Sequence, residues 1–375
     1  MARMRSSFCF LLFLGLLACR AERGPIRIGV SLSLREPGVL PMKLGVELAA
    51  REINAAGGLI DGRPLELVER DDFAEEDTSV SIATDFYQRD VVAVIGGAYS
   101  GVTLAAAPVY NGGSNPLVQL SPSASSPHLT TAGDFTFRLC PSDLAYGAAL
   151  AQFARDRGLD RAAVLYVNDE YGRGFRLSFA REFVRLGGSV LEVDPFLSAS
   201  PDVGTYLARL ARARQAGVIV LAANQEEGLP VVSQLRAANL NLPILAADGM
   251  VGAERTAADL MEGIYVSSAY LAAGTGAANR RFVDAYQRAY PEAGPPDQGA
   301  AASYDAVRLL ARVIKEVGPD RKRVRDALGS VGNGSQPFEG AVGRVSFDIN
   351  GDVPTLPVLV GVAKGGILVP VRSWR

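Results

Sequence analysis

One histidine, one tryptophan and three cysteines in the whole chain close several routes to function. His128 stands alone in a Ser/Pro-rich loop, so neither a Cys/His metal site nor a Ser-His-Asp triad can be assembled. Cys9 and Cys19 fall in the first nineteen residues, which leaves Cys140 as the single thiol of the body. No internal disulfide can form there, and stability must come from a packed core. Neither sign of charge dominates: 38 Lys and Arg against 40 Asp and Glu give a formal net charge of −2, which removes the electrostatic case for nucleic acid as a partner. Beyond residue 19 no apolar run reaches the length that spans a bilayer. GGAYSG lacks the lysine of a P-loop and is not the G-x-S-x-G elbow, and the first strand-to-helix turn, SLSLREPG, carries the wrong residues for a dinucleotide fingerprint. The chain is therefore read as a non-enzyme, with no metal and no cofactor.

The amino terminus has a composition of its own. Arg3 and Arg5 precede the apolar run FCFLLFLGLL, then Ala18 and Cys19. The run is too short to cross a membrane and is placed like the apolar region of an export signal. LLAC at 16–19 resembles the bacterial lipobox, so residues 1–19 are expected to be a lipoprotein signal peptide, Cys19 the lipidated first residue and 20–25 a tether. The body would then be periplasmic or at the cell surface, held to a bacterial membrane through the lipid anchor alone.

From Ile26 onward, strand-like and helix-like segments alternate. IRIGVSL, LELVERD, VVAVI and PLVQL read as strands, and the segments between them as helices. After FTFRLCPSD the alternation restarts with a helix over 144–157 and continues through AAVLYVN, SVLEVD, GVIVLAAN, PILAAD and GIYVSSA to a long helix over 300–317. RVSFDINGD reads as a strand and turn, followed by two apolar strands up to Val371. This is the pattern of parallel sheets covered by helices on both faces. At 375 residues, roughly two domains are expected.

The stretch from Val91 to Ser125 carries the most chemistry. A buried-strand run breaks at Gly96 and Gly97, Ser100 stands in an N-cap-like position, and a second short strand opens into SPSASS. In a parallel sheet such loops lie at the carboxyl edge, where ligands bind and a helix amino terminus offers unpaired N–H groups to an anion. The stretch reads as a carboxylate cradle, or alternatively as turn residues with a simple cap. Asn224 and Asp248 end two strands, AAN and AAD, at the same edge, and Asp143 and Tyr171 in NDEYGRGF are further polar candidates beside the cradle. A carboxylate facing a cluster of hydroxyls and N–H groups would suit the zwitterion of an α-amino acid. Each also has a structural alternative: Asp143 as a helix cap, Tyr171 as an edge of the core, Asp248 as a turn residue.

Together, GVELAAREINAAGGLIDGRPLELVERDD, VIGGAYSGVTLAAAPVYN, LSPSASSPHLT, FRLCPSD, NDEYGRGF, QLRAANL and SFDINGD resemble, in order, the type I periplasmic solute-binding proteins of branched-chain amino acid (leucine/isoleucine/valine) ABC transporters. The resemblance implies an α/β, two-lobed fold, each lobe a parallel sheet flanked by helices, with three hinge crossings near Pro141, Ala272 and Asp352. The implied domains are 26–141 plus 272–351 and 142–271 plus 352–375. It further implies hinge closure on a small carboxylated solute, an amino acid or amide-like relative, delivered to an ABC transporter permease. A ligand-sensing module for a membrane receptor is the alternative use of the same architecture. By resemblance Ser100 and Ser125 hold the ligand carboxylate with backbone groups of Ser123 and Ala124, while Asp143, Tyr171 and Asp248 lie in the cleft, the last toward the ammonium. The family commonly has glutamate where Asp248 stands and threonine where Ser125 stands. Its leucine-binding members carry a disulfide in the region of Phe73 and Tyr99, and an aromatic is often found near Asn224, where this chain reads AANQEEG.

Overall fold

Short runs rich in Val, Ile and Ala, buried at nearly every position in the inner strands and partly exposed at the edges, build two sheets in the computed structural model, which describes residues 24–213, 216–274 and 276–371. The expected signal peptide, Cys19 and the tether up to residue 23 lie outside the described residues. The first sheet holds β1 (Ile26–Leu32), β2 (Leu65–Asp71), β3 (Ala93–Gly96), β4 (Val118–Ser121) and β5 (Thr136–Arg138), all parallel in the order β2-β1-β3-β4-β5. The second holds β6 (Arg161–Val167), β7 (Ser189–Phe196), β8 (Val218–Ala222), β9 (Ile244–Ala246) and β10 (Tyr265–Ser268) in the matching parallel order β7-β6-β8-β9-β10. β11 (Phe338–Glu339) and β12 (Arg344–Val345) form a small ribbon. β13 (Leu359–Lys364) and β14 (Ile367–Pro370) then add an antiparallel hairpin beside β10, so the second sheet is parallel except at this edge.

Helices α1 (Leu40–Ala55), α2 (Glu76–Gln88) and α3 (Ser100–Asn111) connect the first strands, and α4 (Asp143–Asp156) follows β5. α5 (Glu170–Arg185), α6 (Gly204–Ala213), α7 (Gln225–Ala237) and the single turns α8 (Ala253–Thr256) and α9 (Ala258–Met261) belong with the second sheet. α10 (Ala277–Ala289), α11 (Gln298–Val317) and α12 (Arg321–Gly329) return to the first. The sequence reading has no helix at α10 or α12. Among their residues only Asn279, Phe282 and Tyr286, and Arg321, Val324 and Leu328, are buried, so their apolar stripes are too thin to stand out among the charges. RVSFDINGD pairs as a strand only at Arg344 and Val345. Phe347 then enters the core, and the Asp348 side chain accepts the N–H groups of Asn350 and Asp352 in a turn.

Each sheet has its own core. Ile28, Val30, Val46, Ile95, Phe282 and Leu309 belong to the first, and Val164, Phe179, Val220, Leu245 and Val266 to the second. The chain passes from one to the other three times. Leu139 lies in the first core and Tyr146 in the second; Ala269 lies in the second and Tyr270 in the first; Leu356 lies in the first and Val360 in the second. Pro141 stands in the first passage, and Pro354 and Pro357 flank the third. Because Val353 and Leu356 still pack into the first core, the last passage falls a few residues after Asp352.

α11 starts where the Asp297 side chain accepts the Ala300 N–H at 2.9 Å, and it buries fourteen residues, a number that makes it a central strut rather than a surface helix. It approaches α1 at Gly45, where an added Cβ would fall on the Ala300 carbonyl oxygen. A backbone atom cannot swing away as a side chain can. Gly45→Ala should therefore lower stability by about 1–3 kcal/mol, although glycine to alanine in an open helix gains about 1 kcal/mol. Urea unfolding of the two proteins measures the sign; unchanged or higher stability would mean that α1 and α11 can part without cost.

Candidate functional site

In both sheets the strand order reverses beside the first strand, and the loops after the carboxyl ends of the strands face each other across one cleft, as doubly wound sheets arrange their ligand sites. Gly38 and Val39 follow β1, Ser100 follows β3, and Ser123 and Ser125 follow β4. Tyr171, Asn224 and Asp248 follow β6, β8 and β9 on the other side, and Asp297 to Gly299 come from the start of α11. The cleft holds a free cavity of about 70 Å³, several times the space that one water needs.

The first wall is built from hydroxyls and backbone amides. Gly96 sits at a φ of 142°, and a Cβ there would fall on the Ser31 carbonyl oxygen, so only glycine lets β3 end this close to β1. Ser100 is the first residue of α3 rather than its cap; Tyr99 holds the cap position without a capping bond. The Ser100 hydroxyl instead accepts the Ser126 N–H at 3.1 Å, which ties the loop after β4 to the helix start. The first-turn N–H groups of α3 have no acceptor within the helix and present its positive end. Ser121 donates to the Gly97 carbonyl at 2.8 Å and accepts the N–H groups of Ala124 at 2.9 Å and Ser123 at 3.3 Å. The Ser123 hydroxyl donates to the Ala98 carbonyl at 2.6 Å, and the Ala124 carbonyl accepts the Cys140 thiol at 3.4 Å. Ala124 is thus committed on both backbone groups and lies behind the lining, while Ser100, Ser123 and Ser125 reach it.

Beneath this wall lies Arg138, 1% exposed. Its guanidinium donates to the carbonyls of Ser125 at 3.0 Å and Ser126 at 2.9 Å and to the Thr130 hydroxyl at 2.9 Å, and its Nε lies 2.7 Å from the Asp352 carboxylate. The sequence reading gave Arg138 no role. The available signal was an arginine inside a three-residue strand that is buried throughout.

The second wall is acidic. The Tyr171 hydroxyl donates to Asp248 Oδ1 at 2.9 Å and accepts the Gly249 N–H at 2.9 Å. Burial pushes the Asp248 carboxyl up to about 7, although the Tyr171 bond and the local N–H groups pull it back. Asp143, first residue of α4 and fully buried, is not the cap of its helix; Ser142 is. Neither Asp143 oxygen has a hydrogen bond of good geometry, and burial followed by the Asp248 charge pushes its carboxyl well up. Asp143 sits behind the lining and Tyr171, Asn224 and Asp248 on it. Asn224 precedes α7 and makes no capping bond. Burial also raises the Cys140 thiol, so it stays protonated and unreactive.

The walls touch through Glu226, Glu170 and the Arg255–Asp297 pair, contacts that the sequence reading did not anticipate. Glu226 Oε1 accepts the Gly38 N–H and Oε2 the Tyr99 hydroxyl, each at 3.3 Å. Glu170 Oε1 accepts the Ser126 hydroxyl at 2.8 Å and lies 2.6 Å from His128 Nδ1. Both glutamates stand in the loop or first helical turn that follows a strand end of the second sheet, β6 for Glu170 and β8 for Glu226, which is the signal that could have found them. Among the described residues no group of three or more His, Cys, Asp or Glu side chains is arranged to hold a metal ion. What the arrangement can do is bind: hydroxyls and helix N–H groups face a buried carboxylate pair across a closed cleft.

A family described as periplasmic binding protein matches residues 25–366. Leu/Ile/Val-binding protein homolog 1 of Brucella suis is 28% identical over 342 residues, covering 88% of this chain and 88% of its own. The ABC transporter substrate-binding protein from Desulfitobacterium hafniense, solved in complex with Leu, superposes with a TM-score of 0.80 at 29% identity, covering 92% of this chain and 100% of its own. A leucine binding protein from Thermotoga maritima superposes with a TM-score of 0.84 at 26% identity, covering 92% and 97%. Two doubly wound sheets with strand ends facing one cleft, matched along nearly the whole described chain, make this protein a member of the periplasmic binding protein family, with the type I fold.

Proposed function

We propose that this chain is the extracytoplasmic substrate-binding component of an ABC importer and that it captures a small zwitterionic solute, an amino acid or an amide-like relative, by closure of two lobes. One observation carries the reading: a wall of hydroxyls and helix N–H groups faces Asp248 and Tyr171 across the cleft. Ser100 and Ser125, with backbone groups around Ser123, receive the carboxylate; Asp248, held by Tyr171 and backed by Asp143, receives the ammonium. Asn224 borders the rest of the ligand. The leucine complex of the relative supports an amino acid as the solute. The lobes are 26–141 with 272–351 and 142–271 with 352–375 by the sequence, and core membership favours moving the last division to just after Leu356. Closure brings the second wall onto the first, and the closed form is what the permease meets.

Thermal unfolding against a panel of amino acids and small amides tests the reading. A solute at one hundred times its Kd should add about 2.7 kcal/mol of stability, and Asp248→Ala should weaken binding by about 2 kcal/mol or more through loss of a buried charge partner. No stabilisation by any member of the panel would reject the proposal.

The raised Asp248 carboxyl sets two pH dependences. An ammonium needs the ionised form, so binding below about pH 7 releases a proton; affinity should climb with pH and level off above 7. Without ligand, folded Asp248 keeps its proton to about 7 while an unfolded aspartate loses it near 4. Between those values the unfolded state binds fewer protons, so stability falls as pH rises. Asp248→Asn should flatten that fall in urea unfolding measured at pH 4.5 and 7; an equal fall in both proteins would remove Asp248 as its source.

We also propose that Cys19 anchors the body to a membrane as the first residue left after cleavage behind Ala18. Radiolabelled palmitate should enter the wild-type protein expressed in bacteria and not Cys19→Ala; label in both proteins, or in neither, would reject the anchor.

A further inference from the structure

Beyond the head site the cleft lining is mixed: Val39, Met42 and Val251 stand beside a carboxylate that an aliphatic chain cannot serve. Glu226 enters the cleft from the first turn of α7, and its carboxylate holds two hydrogen bonds, both at the long limit of 3.3 Å. No Lys, Arg or His side chain lines the cleft among the described residues. Asp297, the other carboxylate at this end, is answered by Arg255 at 2.6 Å. The charged neighbours of Glu226 are Glu227 and Glu36, of its own sign, and burial with the Glu227 charge pulls its carboxyl up. Beside it the lining presents Asn224, whose side chain makes no capping bond. An aliphatic tail packed here would strip water from a carboxylate and return no hydrogen bond. A tail that ends in N–H groups would replace that water with charge-assisted bonds.

We propose that the cleft selects an α-amino acid whose side chain ends in N–H donors, a guanidinium, an ammonium or a carboxamide, and that Glu226 is the acceptor that selects it. The proposal rests on the reading of Ser100, Ser125 and Asp248 as the amino-acid head site and names the tail that accompanies the head. Tyr99 and Gly38 then have a second use: they hold Glu226 at the cleft end of its reach, so that the carboxylate meets the tail preorganised.

Calorimetric titration of the purified protein with arginine, lysine, glutamine, norleucine and leucine tests it. Norleucine is lysine without the terminal ammonium, so the pair isolates the tail. At least one of the three N–H-tailed ligands should bind ten-fold or more tightly than both aliphatic ones, and Glu226→Gln should shrink that ratio ten-fold or more for a cationic tail. Because Glu226 also bridges the walls, a role in closure alone would weaken every ligand by one factor and leave the ratio intact, which would overturn the proposal. Leucine or norleucine binding as tightly as the three others would overturn it too. If the aliphatic ligands bind as tightly as the N–H-tailed ones and lose affinity in Asp248→Ala, the tail assignment falls and the head site stands; if no α-amino acid binds, both fall.

Discussion

A single buried guanidinium holds the cleft in shape. Arg138 lies where the chain leaves the first sheet, and it fastens the carbonyls of Ser125 and Ser126, the Thr130 hydroxyl and the carboxylate of Asp352 around one planar group. A buried charge of this kind persists only with its partners in place, and removal of one partner costs several kcal/mol. The loop after β4 and the turn before the third passage are therefore fixed to each other, although more than 200 residues separate them in sequence. With the carbonyls of Ser125 and Ser126 turned down onto Arg138, Ser123 and Ser125 remain on the cleft lining.

The second wall works by the opposite principle. Asp143 and Asp248 share a buried region, and each raises the cost of ionising the other. Tyr171 and the Gly249 N–H only partly offset that cost. One wall is braced by internal hydrogen bonds; the other has acidity that its own residues do not neutralise. The Glu226 and Glu170 contacts bring these two unlike surfaces to within hydrogen-bonding distance.

How much of this the sequence disclosed depended on whether one segment sufficed to reveal it. VVAVI, GVIVLAAN and the other buried strands announce themselves by β-branched runs, and the family motifs fix their order. α12 did not, because RKRVRDALG buries only Arg321, Val324 and Leu328. That Ser100, Ser123, Ser125, Tyr171, Asn224 and Asp248 would gather at one cleft was legible from the strand pattern and the family resemblance, since each lies in the loop or first helical turn after a strand. Ser100 as a cap was not the outcome, since the Ser126 N–H competes for its hydroxyl from a different loop. The role of Arg138 needs Asp352, and that of Glu226 needs Gly38 and Tyr99, partners that come together only through the three-dimensional fold.

The prolines at the passages between the two cores have a mechanical meaning. Pro141 stands in the first and Pro357 in the third, each with a locked φ and no N–H to recruit into a neighbouring strand. Any displacement of one core against the other must be absorbed by the few free torsions that remain at these passages. Such a joint behaves like a door on its pins and not like a ball in a socket. The two faces of the cleft would then swing together along one arc and meet in the same register on every cycle.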